Sequence, residues 1–395
     1  KSNIIPTFAG VSIRNILEGT SLNSGNVEFK DPWFIDYPDP AFGDQKRNRG
    51  MDNAVFKSRT SPFYPDYNTI YDGDNKYQGV FLDQGYNPII QVWSPPYYSV
   101  KADNPITTYL NQTGKNHTFY FQGWGASPSE SAEFQFPTQL ETGVVFKNAN
   151  AVVQANFKGT QLSNQTDAYA NNSQRKFIRN NGGSLHNVYE SMGQVWYENS
   201  TNSGNTWVLK NQGKPISMGA ESKNPSLEWA GQGYVYITYQ EKDEYDLTSI
   251  KLMKFDFLND QVVYNVTVVE YADDYTYNAS PVVSVKYYNN IARVFVLWAQ
   301  SEQGFFTPGG LYYRYGYEDI YGNFSDWYDD YTYIDYTNEN STRPTMVVDK
   351  SSSAVPPVFH VAWQQTSPYT IKYIKLTANA QNQISASAIE TPSTG

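Results

Sequence analysis

The stretch Gly183–Trp207, GSLHNVYESMGQVWYENSTNSGNTW, decides how the chain is read. Leu185–Glu190 and Val195–Asn199 are short runs rich in aromatic and β-branched residues, split by Met192-Gly193. They predict two strands joined by a tight turn. The polar run Ser200-Thr201-Asn202-Ser203-Gly204-Asn205-Thr206-Trp207 follows. Asn202 can bond its side chain to nearby backbone, Gly204 can take a positive φ, and Trp207 can fold back as a packing anchor. The stretch therefore predicts strand, turn, strand and a tight polar hairpin.

Outward from this stretch the first strand recurs. Ser184–Ser191, Tyr234–Glu241, Arg293–Gln300 and Val358–Gln365 each place an aromatic before a polar end, at Tyr189, Tyr239, Trp298 and Trp363. A second strand follows each, at Gln194–Thr201, Ser249–Asp256, Gly310–Tyr317 and Thr370–Thr377. A leading strand precedes three of them, opened by Pro225, Pro281 and Pro344; Arg175–Arg179 takes that place in the first repeat without a proline. A period of roughly 50–65 residues with about four strands is that of β-propeller blades. The expected fold class is all-β, a four-bladed propeller-like repeat domain over 160–395 (about 160–215, 216–275, 276–340 and 341–395). Three arrangements are open: a four-bladed ring, part of a longer propeller, or a ring completed by another chain.

The run Ser200-x-Asn202-x-Gly204-x-Thr206-Trp207 resembles the Asp-box of sialidase-like β-propellers, with Asn202 in place of the aspartate. Ser325-Asp326-Trp327, within Gly322–Trp327, resembles a degenerate second box in the third repeat. The resemblance implies structural hairpins on blade edges, away from any active site.

Two regions precede the repeats. Residues 1–79 are punctuated by Asp31-Pro32, Tyr37-Pro38-Asp39-Pro40, Ser61-Pro62 and Tyr64-Pro65, which push the preceding residues toward extended or turn conformations. They read as an irregular arm with short strands, packed through its many aromatic residues. Ile4–Val11 and Ser12–Leu17 are the segments expected either to add a strand to a neighbouring copy or to fold back on the same chain. Asp72, Asp74 and Asn75 offer oxygen ligands at the spacing of a calcium loop, but no glutamate further on completes an EF-hand. An acidic turn is the expectation there, with calcium as the alternative and no other cofactor.

Residues 80–159 read as a separate small β domain, with strands at Val80–Leu82, Ile89–Trp93, Thr118–Phe121, Gly143–Phe146 and Ala151–Phe157. Phe121-Gln122-Gly123-Trp124 and the alternating run Ala151–Phe157 resemble the internalin-type B-repeat. That resemblance implies a spacer or adhesive β-grasp module without catalytic residues.

Composition bounds the function. Hydrophobic residues make up 39% and charged residues 17% of the 395, so the chain has enough apolar matter to bury a core. A formal charge of −10 argues against a nucleic-acid partner. With no cysteine, thiol catalysis, disulfides and cysteine-based zinc sites are excluded. The apolar run Val294–Ala299 is far too short to span a bilayer. The abundance of Asn, Ser, Thr, Tyr and Gly, with few lysines, suggests a secreted or cell-surface protein. The N-glycosylation patterns beginning at Asn111, Asn116, Asn164, Asn171, Asn199, Asn265, Asn278, Asn323 and Asn340 read as chance in an Asn- and Thr-rich chain.

The propeller resemblance makes a sialidase the first enzyme to test. Those enzymes clamp a sugar carboxylate with three arginines, use a Tyr–Glu pair as nucleophile and use an aspartate as acid. The repeats hold only Arg175, Arg179, Arg293, Arg314 and Arg343, and no Tyr–Glu pair falls at a matching place. Glu190, Glu198, Glu241, Asp243 and Glu244 are carboxylates that a glycosidase pair could draw on. His186 and His360 alternate within apolar strands and read as blade-packing residues rather than metal ligands, and His117 stands far from both in sequence. No catalytic residue is assigned. The reading is a non-catalytic extracellular structural or adhesive protein that self-associates into an oligomer or fibre. A glycan-binding module or a sialidase-like glycoside hydrolase is the alternative.

Overall fold

The computed structural model describes residues 98–110, 113–146, 152–169, 173–245, 248–270, 279–300, 310–328, 332–335, 341–350, 352–366 and 369–392, with the backbone of four earlier strands. The chain is all-β and divides into two compact units, Lys1–Asn164 and Gln165–Gly395.

In the first unit the strands are β1 (Ser12–Glu18), β2 (Ile35–Asp39), β3 (Gly43–Arg47), β4 (Ala54–Ser58) and β5 (Tyr98–Ala102). Then come β6 (Ile106–Leu110), β7 (Lys115–Ser127), β8 (Ala132–Phe134), β9 (Glu141–Phe146) and β10 (Val152–Gly159). One sheet runs β1-β10-β7-β6, a second runs β4-β5-β9-β8, and β2 and β3 form a hairpin. β1 lies parallel to β10, from Ser12 opposite Val152 to Glu18 opposite Lys158. Of the two roles expected for Ser12–Leu17, this is pairing within its own chain; Ile4–Val11 lies outside the described residues. The alternation in β7 and β10 buries Phe119, Phe121, Val153, Ala155 and Phe157 on one face. Val80–Leu82 and Ile89–Trp93 lie outside the described residues, as do Asp72, Asp74 and Asn75.

The second unit is a run of four blades. Blade A comprises β11 (Phe177–Arg179), β12 (Leu185–Ser191), β13 (Gln194–Ser200) and β14 (Val208–Leu209). Blade B comprises β15 (Glu221–Gly231), β16 (Tyr234–Lys242), β17 (Thr248–Asp256) and β18 (Gln261–Glu270). Blade C comprises β19 (Val282–Tyr288), β20 (Ile291–Gln300), β21 (Gly310–Glu318) and β22 (Phe324–Trp327), with β23 (Thr332–Asp335) also on β21. Blade D comprises β24 (Ser341–Val348), β25 (Val358–Thr366), β26 (Tyr369–Ala378) and β27 (Ile384–Ala386). Each is an antiparallel meander in sequence order. In blades A, B and C the second and third strands are buried on both faces along most of their length, so these blades are covered on two sides.

Adjacent blades stack through dry seams. Val188, Tyr197, Leu227, Ile237 and Phe255 join A to B. Tyr236, Leu252, Val283, Val285 and Val294 join B to C. Phe295, Leu311, Tyr315, Met346, Phe359 and Leu376 join C to D. The recurring aromatics Tyr189, Tyr239, Trp298 and Trp363 are all fully buried at the same place in the second strand. The far face of blade A is covered by its own lead-in: Ala168 is buried, and Tyr169 stacks on Tyr189 with ring centroids 6.1 Å apart.

The B–C seam also contains a buried ion pair. Lys254 Nζ donates to Glu318 at 2.8 Å and to the Gly322 carbonyl at 2.9 Å. The hydroxyls of Tyr236 and Tyr264 donate to the other carboxylate oxygen at 2.8 and 2.9 Å. Lys254 sits 4.2 Å from the centroid of the Tyr234 ring. Burial first, and the Glu318 charge second, push both phenols well above their usual range. The carboxylate is thus fully hydrogen-bonded, the condition under which a buried charge is tolerated.

Candidate functional site

Antiparallel meanders sort the connections onto two ends of the blades. The inner strands β11, β15, β19 and β24 begin at one end, called here the upper face. The connections from second to third strand lie there too. The lower face carries the connections from first to second and from third to fourth strand.

At the upper face the inner strands share an unusual backbone. Asn224, Ser280 and Arg343 have φ of +53°, +42° and +52°, each directly before Pro225, Pro281 or Pro344. Left-handed backbone is costly for residues with a Cβ, and such strain persists only where surrounding contacts hold it. In β15 and β24 it coincides with a register shift, so the strand bulges. Pro225 and Pro344 therefore mark a bulge in the first strands of blades B and D.

Polar groups hold these bulges in place. Gln174 Nε2 donates to the carbonyls of Asn224 at 2.6 Å and Pro281 at 2.9 Å, tying blade A's lead-in to blades B and C. Glu190 accepts from Asn224 N at 2.6 Å. Burial raises the Glu190 carboxyl above its usual range, opposed by that amide and by Lys176. Glu241 accepts from Met218 N and Gly219 N, both at 2.9 Å. Below, Glu228 takes both Arg175 and Lys350, while Arg175 also donates to the Met346 carbonyl at 3.1 Å. This ion triad links the first strands of blades B and D to the lead-in of blade A.

At the same face stand exposed apolar side chains: Met218 in the connection from blade A to blade B, Tyr245 in blade B and Tyr369 in blade D. Tyr245 and Tyr369 lie where the second strands of B and D turn into the third.

The predicted hairpin residues lie at the lower face. Asn202 Oδ1 accepts from Thr206 N at 2.9 Å, Ser200 Oγ accepts from Gly204 N at 2.9 Å, and Trp207 Nε1 donates to the Gly204 carbonyl at 3.1 Å. Gly204 takes φ +89°, and Trp207 is buried against Phe177. Ser325, Asp326 and Trp327 fall elsewhere: they belong to β22, one step beyond the turn, with Ser325 and Asp326 exposed and Trp327 half-buried. The side chain that organises the turn in blade C is Asp319, which accepts from Tyr321 N at 2.8 Å and Asn323 N at 2.9 Å. Asp256 does the same for Leu258 N and Asn259 N in blade B, and Asn379 for Gln381 N and Gln383 N in blade D. All four blades therefore turn on an Asn or Asp side chain. Sequence reading found one of the four, because only the turn of blade A carries a serine, glycine, threonine and tryptophan beside it.

Of the candidate carboxylates, Glu190, Glu198 and Glu241 are engaged with groups of the protein itself, and Asp243 accepts from Tyr245 N at 2.8 Å. Glu198 is buried and accepts from Asn187 at 3.0 Å, while Glu190 and Glu241 hold backbone amides. The arginines are scattered: Arg175 pairs with Glu228, Arg179 ends β11, Arg293 lies between C and D, Arg314 lies 5.1 Å from the Trp327 ring centroid, and Arg343 is at the upper face. His186 and His360 occupy matching places in blades A and D. Each bonds a third-strand tyrosine through Nδ1, His186 to Tyr197 at 2.7 Å and His360 to Tyr373 at 2.8 Å. Among the described residues, no group of three or more His, Cys, Asp or Glu is placed to hold a metal ion.

No family model matches the chain, and no curated protein matches it. Among solved structures it is similar to an endo-1,4-beta-xylanase from Bacteroides thetaiotaomicron, at 10% identity and TM-score 0.35, over 73% of this chain and 95% of that one. It is also similar to an alpha-L-arabinanase from Penicillium chrysogenum, at 13% identity and TM-score 0.34, over 73% of this chain and 92% of that one. A mutant of the NanB sialidase from Streptococcus pneumoniae is similar at 11% identity and TM-score 0.35, over 78% of this chain and 45% of that one.

Proposed function

We propose that the chain is an extracellular carbohydrate-recognition protein whose upper face docks a glycan, working by binding rather than turnover. The observation that carries this reading is the exposure of Tyr245 and Tyr369 where the second strands of blades B and D turn into the third. Sugar rings present apolar C–H faces that stack on aromatic side chains, and polar groups nearby orient their hydroxyls. Two of the carboxylates of that face, Glu190 and Glu241, accept from backbone amides, a positioning role that supports recognition. The lower hairpin at Ser200–Trp207 resembles an Asp-box with Asn202 in the acidic place, a scaffold element consistent with this division of labour. No helix among the described residues is long and apolar enough to cross a membrane. The reading is tested by a glycan array followed by calorimetry. Tyr245→Ala and Tyr369→Ala should each weaken binding roughly three- to tenfold, with no sugar released. Absence of binding across the array sinks the idea.

A second reading, self-assembly, has its own support. One face of blade D is half-open: Val347, Ile371 and Tyr369 are 51%, 55% and 80% exposed there, while the opposite face packs on blade C. Exposed apolar residues on an uncovered sheet face are available to a partner, here interspersed with His360 and Lys375. If copies associate through it, Ile371→Asp lowers the mass seen by light scattering at high concentration. A monomeric wild-type protein rules this reading out.

A further inference from the structure

Buried polar atoms are nearly always satisfied, and the exceptions point to something that completes them. Among the described residues, nine buried side-chain polar atoms lack a hydrogen-bond partner within the protein, and four of them lie on one face of blade C: Ser284 Oγ, Lys286 Nζ, Arg293 Nη1 and Tyr315 Oη. Register puts them together. Lys286 pairs directly with Arg293 at the centre of the group, while Ser284 and Tyr315 lie diagonal to Arg293 on the neighbouring strands, on either side of Phe295. Directly opposed residues on adjacent strands have Cβ atoms about 5 Å apart. The face is the one packed on blade D, since Phe295, Tyr315 and Val282 belong to the C–D seam.

All four groups can donate, and two carry a positive charge. Ser284, Lys286, Arg293 and Tyr315 are 0%, 4%, 7% and 3% exposed. Two like charges directly opposed in a buried sheet repel, and each costs desolvation energy. The protein offers little compensation. Arg293 Nε donates to Asn382 at 3.0 Å, and its guanidinium lies 5.6–5.9 Å from the ring centroids of Tyr288, Tyr317 and Tyr328. Asp349 is the carboxylate whose field reaches Lys286. Neither fills the donors that remain.

We propose that Lys286, Arg293, Ser284 and Tyr315 form a binding site for a small oxyanion of the phosphate or sulfate class, between blades C and D. A tetrahedral oxyanion accepts from several directions at once, and its charge turns two repelling cations into a charge-assisted network. Its recruitment glues blade D to blade C, with the two cations toward the lower end of their strands.

The full chain is melted in low-millimolar inorganic phosphate against chloride at matched ionic strength, where general exclusion by kosmotropes is small. Saturable stabilisation is expected, roughly 5–10 °C at about a hundredfold excess over the dissociation constant. Lys286→Met and Arg293→Met should each abolish that phosphate-dependent shift, while Ile371→Ala should keep it. An undiminished shift in both Met variants overturns the site. Should those variants fail to fold, wild-type crystals grown with selenate decide. An anomalous peak in contact with Lys286 Nζ and Arg293 Nη1 supports the site, whereas water there, or selenate bound only elsewhere, overturns it.

Discussion

Blades A, B and C and blade D come from one repeat but are buried differently. The strands β12, β13, β16, β17 and β20 are buried on both faces nearly throughout. β24 and β26 instead alternate, with Met346, Val348, Ile374 and Leu376 inside and Val347, Ile371 and Lys375 outside. Blades A and D each have one face that no other described blade covers. Blade A covers its far face with the segment through Ala168 and Tyr169, whereas blade D shows a mixed face bearing Arg343, His360 and Lys375 beside the apolar residues. The comparison teaches that strands record what covers them: where both faces of a blade are covered, burial runs through the second and third strands, and where one face stays open, alternation returns.

The contrast is broken most severely inside a two-sided seam. Lys254→Met strands Glu318 between blades B and C and should cost about 3–5 kcal/mol in urea unfolding. The further change Glu318→Gln in that background should recover part of the loss. A cost below about 1 kcal/mol shows that the carboxylate is compensated elsewhere. Next comes acid. Burial, with Lys210 nearby, lowers the His186 imidazole from 6.5 to about 4. The neutral form is favoured in the fold, so its contribution is complete above pH 6.5 and falls away as the pH drops toward 4. The difference is roughly 3 kcal/mol. His186→Gln should flatten that part of the stability–pH profile, and an unchanged profile assigns the acid response to other groups. The smallest effect belongs to the open face. Ile371→Ala should change stability by about 0.5 kcal/mol or less, and a loss as large as that of Lys254→Met means that this face is covered in solution.

Most of the repeat was legible because it is local. The second strands expected at Tyr234–Glu241 and Val358–Gln365 are Tyr234–Lys242 and Val358–Thr366, and the third strand expected at Ser249–Asp256 is Thr248–Asp256. Period-two patterns and turn residues carry that information within a few positions. The prolines that mark the leading strands were equally visible, but their left-handed predecessors were not, because Asn224, Ser280 and Arg343 share no side-chain type. Asp256, Asp319 and Asn379 were missed as turn organisers because an Asn or Asp without its motif is too common to single out. The Lys254–Glu318 pair and the donors around Arg293 were invisible for another reason: they join strands separated by register and seam, which no local pattern encodes.

The ion triad at Glu228 has a consequence for the order in which the unit can be completed. Glu228 meets Arg175 53 positions back and Lys350 122 positions ahead. During synthesis from the N-terminus, the carboxylate can gain its first cation as soon as blade B forms. Its second arrives only after all of blade C and the inner strand of blade D have been made. Contacts so distant in sequence carry the largest loop-closure cost and form late. Glu228 therefore spends the interval half-neutralised in a blade whose next neighbour does not yet exist, and the arrival of Lys350 is a checkpoint on whether blades C and D were laid down in register.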